Sequence, residues 1–295
     1  MQPTRTYRSL ACFMALAMLL LATGADAVTA SGAIPLSSVT SITPARAVTD
    51  RERLWSDGCM AYESVSVPRH CVYGVTTSKK IVALVGDSHA GQLFPAVERI
   101  AKAQGWRLEV FVKVSCAFID MKVWNIALGR VYTECATWNA NVVRRIAALK
   151  PAMTLVVNSR FALKPASSAN NTLSRKGAAV AREIRKLYGR VTLIVDSPQA
   201  SVYIPQCLAA HRSDIRPCAT SRTTALSASL GAIEKIAVAA TGDKLIDLTS
   251  ATCATWPCPA VKNRAIVFRD RSHLTATFAR TLAPALSAKL LPLMP

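Results

Sequence analysis

The chain has 295 residues, with 36 Lys and Arg against 17 Asp and Glu and a net charge of +19, a length ordinary for one α/β domain preceded by a leader. So basic a chain could bind nucleic acid, but no basic stripe interleaved with aromatics and no zinc-finger, RRM or KH signature occurs, so nucleic acid is not an expected partner. The positive field suits attraction to anionic envelope polymers or to a membrane surface of lipid headgroups, or it serves solubility alone.

Arg5 and Arg8 precede an apolar run from Leu10 to Ala22, and Ala25-Asp26-Ala27 follows as a small-residue cleavage pattern. Residues 1–27 therefore read as a signal peptide cleaved after Ala27, which places the mature chain in the periplasm or outside the cell. The run falls short of the roughly 18 residues that argue for a membrane span. Cys12 lies at its start, which argues against a lipid-modified cysteine at the mature N-terminus, and no second long apolar run follows.

Val28 to Asp50 is rich in Ser, Thr, Ala and Pro and has no aromatic residue, so residues 28–53 are expected to form a disordered linker. Order is expected from Leu54 and Trp55 onwards, giving one domain over 54–295 that opens with a short irregular leader to Thr77. Strands are predicted at Ile81–Val85, Leu108–Val112, Met153–Val157, Val191–Val195 and Lys244–Leu248, each a short β-rich apolar run. Helices are predicted at Gly91–Ala103, Thr133–Leu149, Lys176–Leu187, Leu226–Ala240 and Thr275–Leu290 from apolar residues at helical spacing and from stops such as Gly105, Pro151 and Gly189. This alternation implies βαβ crossovers and a parallel sheet with helices on both faces. Sites in such sheets lie beyond the C-terminal ends of the strands.

Nine cysteines are present, and with Cys12 set aside the remaining eight form an even set in an exported chain, which reads as disulfides. They fall into neighbouring couples: Cys59 with Cys71, Cys116 with Cys135, Cys207 with Cys218, and Cys253 with Cys258. Nearest-neighbour pairing is one of 105 connectivities. A zinc cluster at Cys253 and Cys258 is the rival, but the four scattered histidines complete no ligand set. No metal or organic cofactor is expected.

Gly86-Asp87-Ser88-His89 sits where the first long strand meets its helix, so Ser88 is presented at the sheet edge near the positive end of a helix dipole. The same tetrapeptide could simply cap the helix. Near the C-terminus, Asp270 and His273 stand at i and i+3. There a carboxylate can hold Nδ1–H while Nε2 faces a serine hydroxyl. His89 reads as ordering the turn rather than as a base, and His70 and His211, in loops beside cysteines, read as structural.

These residues, with Lys113-Val114-Ser115-Cys116, Glu134-Cys135-Ala136-Thr137-Trp138, Cys207 through His211, Cys258-Pro259-Ala260-Val261 and Arg269 through Thr275, resemble the SGNH hydrolase superfamily. Within it, the chain is most similar to the SGNH domain attached to acyltransferase-3 family polysaccharide O-acyltransferases. The resemblance implies a flavodoxin-like three-layer sandwich, ester chemistry through a Ser88 acyl-enzyme with His273 and Asp270, an acylated or acceptor envelope glycan as substrate, and either a separate membrane acyltransferase as partner or action alone as an esterase. It also implies an oxyanion hole. Superfamily members place a glycine after the second strand and an asparagine after the third. Here Ser115 occupies the glycine region, so its backbone N–H is carried over beside that of Ser88. Asn158 supplies the amide donor, unless the register presents Ser159 instead. Arg160 stays outside the expected site. The alternative is a catalytically silent carbohydrate-binding or interaction protein that keeps the fold.

Overall fold

The computed structural model describes residues 32–227 and 229–295. The signal-peptide expectation for 1–27 lies outside the described residues. In chain order, helices α1 (Leu36–Val39) and α2 (Pro44–Thr49) lead to strands β1 (Met60–Ala61), β2 (Val72–Gly74) and β3 (Ile81–Gly86). Helix α3 (Ser88–Ala103), β4 (Arg107–Lys113), a hairpin of β5 (Trp124–Asn125) and β6 (Arg130–Val131), and α4 (Thr133–Leu149) follow. Then come β7 (Met153–Val157), α5 (Leu173–Ile184), β8 (Arg190–Ile194), α6 (Ile204–Ala210), α7 (Arg222–Leu226), α8 (Ala232–Thr241), β9 (Lys244–Ile246) and α9 (Thr249–Thr252). A second hairpin of β10 (Val261–Lys262) and β11 (Ala265–Ile266), then α10 (Ala276–Thr281) and α11 (Ala283–Leu290), complete the chain.

Strand order in the main sheet is β1-β4-β3-β7-β8-β9. Neighbours on this path are parallel, and β2 adds an antiparallel pairing along the outer edge of β4. The five strands predicted from the sequence, β3, β4, β7, β8 and β9, thus run in the order second, first, third, fourth, fifth, the flavodoxin-like arrangement. Its topological switch point falls between the first and third of them, β3 and β7.

Alternation along the strands divides the core between two faces. Val82 and Leu84 of β3, Leu108 and Val110 of β4 and Leu155 of β7 pack with Leu93, Phe94 and Val97 of α3 and with Phe278 and Leu286 of α10 and α11. Ala83, Val85, Phe111 and Val156 face the other way, onto Trp138, Val142 and Ile146 of α4, Val180 and Ile184 of α5, and Ile233 of α8. With both faces covered, polar strand positions are few, which is why these strands read as continuous apolar runs. Leu84 is fully buried, and truncating it to alanine would cost about 2–5 kcal/mol.

The linker expectation is corrected from Ala33 onwards, where the chain belongs to the same compact unit as the sheet. Leu36 and Ala47 are buried. Leu36 N–H donates to the Arg212 carbonyl at 2.9 Å, the Thr40 hydroxyl to the Arg264 carbonyl at 2.8 Å, and Ala276 N–H to the Asp50 carbonyl at 3.0 Å. A segment too poor in apolar side chains to fold alone is ordered here because an existing core and long-range hydrogen bonds receive it. The leader after it is also more regular than expected, since β1 and β2 join the sheet through β4.

Two predicted helices are shorter than their periodicity suggests. The one expected over Leu226–Ala240 begins only at Ala232, after Gly231 at φ +74°. The last is divided at Leu282, with Pro284 opening its second half, where a missing N–H costs nothing. All four neighbouring cysteine couples stand at disulfide distance, with S–S separations of 2.00, 2.06, 1.98 and 1.89 Å.

Candidate active site

Ser88 owes its position to Gly86. Gly86 has φ +145°, and a Cβ built there would stand 1.9 Å from the Val157 carbonyl oxygen, so only glycine lets β3 run this close to β7 before turning. Asp87 then caps α3. Its Oδ1 accepts from His89 N–H at 2.8 Å, while Oδ2 accepts from Ser159 N–H at 2.7 Å across the switch point. Burial pushes the Asp87 carboxyl up to about 6, although the His89 charge and both N–H bonds draw it down. Ser88 is the first residue of α3, so its own N–H has no intrahelical acceptor.

The second half of the site is a turn before α10. Asp270 Oδ1 accepts from the N–H groups of Ser272 and His273, both at 2.7 Å. Its Oδ2 lies 2.8 Å from His273 Nδ1, and His273 Nε2 lies 2.9 Å from Ser88 Oγ. Leu274 N–H donates to Gln92 Oε1 at 2.6 Å, which ties the histidine turn to α3 one helical turn beyond Ser88. Thr275 caps α10, accepting from Phe278 N–H at 3.0 Å and donating to the Ile266 carbonyl at 2.6 Å. Desolvation draws the Asp270 carboxyl up, but His273 and the two backbone N–H groups prevail and hold it well below the usual carboxylate range. Burial lowers the His273 pKa; Asp270 opposes that effect and the nearby His89 reinforces it, leaving His273 below its ordinary value.

Ser88 and His273 open onto a cleft of about 360 Å³ that is also lined by Ser115, Ser159 and Phe161 and by Trp124 and Ile126 of the first hairpin. Ile126 is 71% exposed and Phe161 52%, so the rim is apolar. Ser115 has φ +51°. This is the left-handed region that glycine enters freely and other L-residues at about 1–2 kcal/mol. Its N–H makes no hydrogen bond among the described residues.

The expectation that Asn158 supplies an amide donor to the cleft is corrected. Asn158 is buried, its Oδ1 accepts from Phe118 N–H at 2.7 Å, and its Nδ2 donates to the Phe118 carbonyl at 3.2 Å. The side chain therefore buttresses the loop after Ser115. Ser159 lines the cleft instead, and its Oγ accepts from Phe161 N–H at 3.2 Å while its hydroxyl hydrogen is given no acceptor among the described residues. Cys116–Cys135 ties this same loop to the first turn of α4.

A family model described as the SGNH domain fused to AT3 domains matches residues 55–288. The chain belongs to that family. The periplasmic domain of a lipopolysaccharide acetyltransferase from Salmonella ser. Paratyphi A superposes with a TM-score of 0.58 at 17% identity, covering 86% of this chain and 91% of that one. A GDSL-like lipase from Bacteroides thetaiotaomicron is also similar, with a TM-score of 0.43 and 10% identity over 81% of this chain and 96% of the other. No curated protein sequence matches.

The SGNH domain also holds a second histidine–carboxylate pair that sequence reasoning missed. His89 Nδ1 hydrogen-bonds Asp196 Oδ1, which also accepts from Ser197 N–H at 2.7 Å. Asp196 Oδ2 accepts from Arg160 N–H at 3.0 Å, with Arg160 Nε 3.6 Å away. Arg160 donates onward to Ser227 Oγ at 2.8 Å and to the Ser197 carbonyl at 3.0 Å. This half-buried arginine is therefore a partner of Asp196. A signal for Asp196 was available: it is an acidic residue directly after the fourth predicted strand, Val191–Val195, at the end of the sheet where sites of this fold lie. Gln92 carried none, since a glutamine in a helix says nothing of the turn it will hold. Among the described residues, no group of three or more His, Cys, Asp or Glu could hold a metal ion.

Proposed function

We propose that this SGNH domain is an exported serine esterase or O-acyltransferase acting on acyl esters, chiefly acetyl, of cell-envelope carbohydrate. The observation that carries the reading is the continuous chain Asp270 Oδ2 to His273 Nδ1 at 2.8 Å and His273 Nε2 to Ser88 Oγ at 2.9 Å. Family membership adds to it, and four disulfides suit an oxidising compartment, periplasmic or extracellular.

In this reading His273 takes the Ser88 proton as Oγ attacks the acyl carbonyl. Asp270 holds the imidazole tautomer and stabilises the imidazolium, without itself taking the proton. The tetrahedral oxyanion is held by the N–H groups of Ser88 and Ser115, with the Ser159 hydroxyl in the part first expected of Asn158. His273 then returns the proton to the leaving oxygen, and a second hydroxyl, from water or from a sugar, resolves the acyl-enzyme by the same path reversed. Transfer to a glycan is the favoured outcome, with a membrane acyltransferase as source of the acyl group.

The test measures acetate release from a small acetyl ester with and without an envelope-derived oligosaccharide, following the sugar by mass spectrometry. Faster donor consumption with acetylated sugar as product is expected. Rapid hydrolysis with acetate as sole product in both arms would make the protein an esterase, and full activity in Ser88→Ala would end the catalytic reading altogether.

A further inference from the structure

His89 is buried, yet it is among the residues that line the cleft beside Ser88. Its Nδ1 is held by Asp196, which has two further N–H partners, from Ser197 and Arg160. Its Nε2 has no hydrogen-bond partner among the described residues. The ring centroid stands 4.9 Å from that of His273, at an interplanar angle of 58°. Two imidazoles, each with a carboxylate on Nδ1, thus share one cleft.

We propose that His89, anchored by Asp196, is a further functional residue of this site and presents a positively charged N–H to the acyl cleft beside Ser88 and His273. This rests on the reading of Ser88 as nucleophile and deepens it. Two cations in van der Waals range repel one another, so one imidazole takes the proton and the other stays neutral. The surroundings decide which. His89 faces Asp87 from the β3–α3 turn, Asp196 from the end of β8 and Asp270 from the histidine turn. The opposing cations are His273 and Arg160, the latter placed on Asp196, and Glu234 of α8 adds a carboxyl near Asp196 that burial pushes up to about 7. Burial disfavours the His89 charge, but the Asp196 carboxylate and the flanking anions outweigh it and raise its pKa above the ordinary histidine value.

Two consequences follow for the chemistry. A neutral His273 keeps the Nε2 lone pair that accepts the Ser88 proton, down to a lower pH than an unaccompanied histidine would allow. Once His273 has taken that proton, repulsion from His89 makes it a stronger acid towards the leaving oxygen. His89 is in this respect a positioning residue that acts through His273, and its unpartnered N–H also offers a charge-assisted donor to a substrate oxygen in the cleft.

The test combines nitrogen-detected NMR titration of the histidine rings in the intact wild-type protein with pH profiles of kcat/KM for His89→Gln and Asp196→Asn. His89 is expected to carry both ring N–H protons at neutral pH while His273 carries one. Both variants should lose about tenfold or more in kcat/KM at neutral pH, and the acid limb of His89→Gln should move to higher pH, since removing the cation relieves the pressure on His273. A neutral His89 ring at pH 7, or a folded His89→Gln with wild-type rate and acid limb, overturns the proposal. Ser88→Ala is measured alongside. Activity in that variant would defeat the nucleophile assignment, while the ring titration, which needs neither turnover nor a variant, still reports the charge of His89.

Discussion

Asn158 and Phe118 are joined by a pair of hydrogen bonds, Phe118 N–H to Oδ1 at 2.7 Å and Nδ2 to the Phe118 carbonyl at 3.2 Å. A buried amide held this way has a structural role, and the polar group left to the cleft at this strand end is the Ser159 hydroxyl. Asn158→Ala should therefore cost about 1–3 kcal/mol of stability through the two stranded backbone groups. Ser159→Ala should cost at most about 1 kcal/mol of stability, through the part-buried Phe161 N–H it leaves without its acceptor, and lower kcat by about 10²–10³, as loss of an oxyanion donor does. Wild-type turnover in Ser159→Ala would remove it from the oxyanion hole.

Ser115→Gly should keep activity within a few-fold, because only the backbone N–H is used, and should leave stability unchanged or slightly raised. Relief of the left-handed backbone at φ +51° is worth about 1–2 kcal/mol, set against about 0.5–1 kcal/mol for the extra freedom of an unfolded glycine. Ester turnover and a urea curve check both halves.

Ser88→Ala and His273→Ala should each abolish turnover of a small acetyl ester and labelling by a fluorophosphonate, with the circular dichroism spectrum preserved. Asp270→Asn should fall by about 10⁴, since the wrong tautomer then faces Ser88. Wild-type activity retained in all three would dismantle the constellation.

The acid limb of kcat/KM should report an apparent pKa below the ordinary histidine value, because the folded protein lowers that of His273. The base is active when neutral, so activity rises as pH rises through this pKa and is already on its plateau at neutral pH. A limb centred above pH 7 would contradict this arrangement.

Lys113 is fully buried, and its Nζ donates to the carbonyls of Tyr62, Glu63 and Val65 at 2.7, 2.8 and 2.6 Å. Lys113→Met fills the space but strands three acceptors. It should destabilise the fold by about 2 kcal/mol or more, read as a lower urea midpoint, while the protein that remains folded keeps its ester activity.

The strands and helices of the sheet were legible because burial on both faces writes continuous apolar runs, and Ser88, Asp270 and His273 were legible because their spacing is local: a strand–turn–helix for one, an i, i+3 turn for the others. Neighbouring cysteines were legible for the same reason. What only the tertiary structure decided depends on contacts between distant segments. Residues 33–53 order because a core made elsewhere accepts Leu36 and Ala47. Asn158 turns to Phe118 because the loop after β4 offers it two backbone groups. His89 finds Asp196, 107 positions further along the chain, because the C-terminal ends of β3 and β8, on either side of β7, lie at the same end of the parallel sheet. Local periodicity records which face of an element is apolar; it holds no information on which polar side chains from different loops will face one another. For that reason Ser88 and the histidine that faces it were readable in the chain, and the company they keep was not.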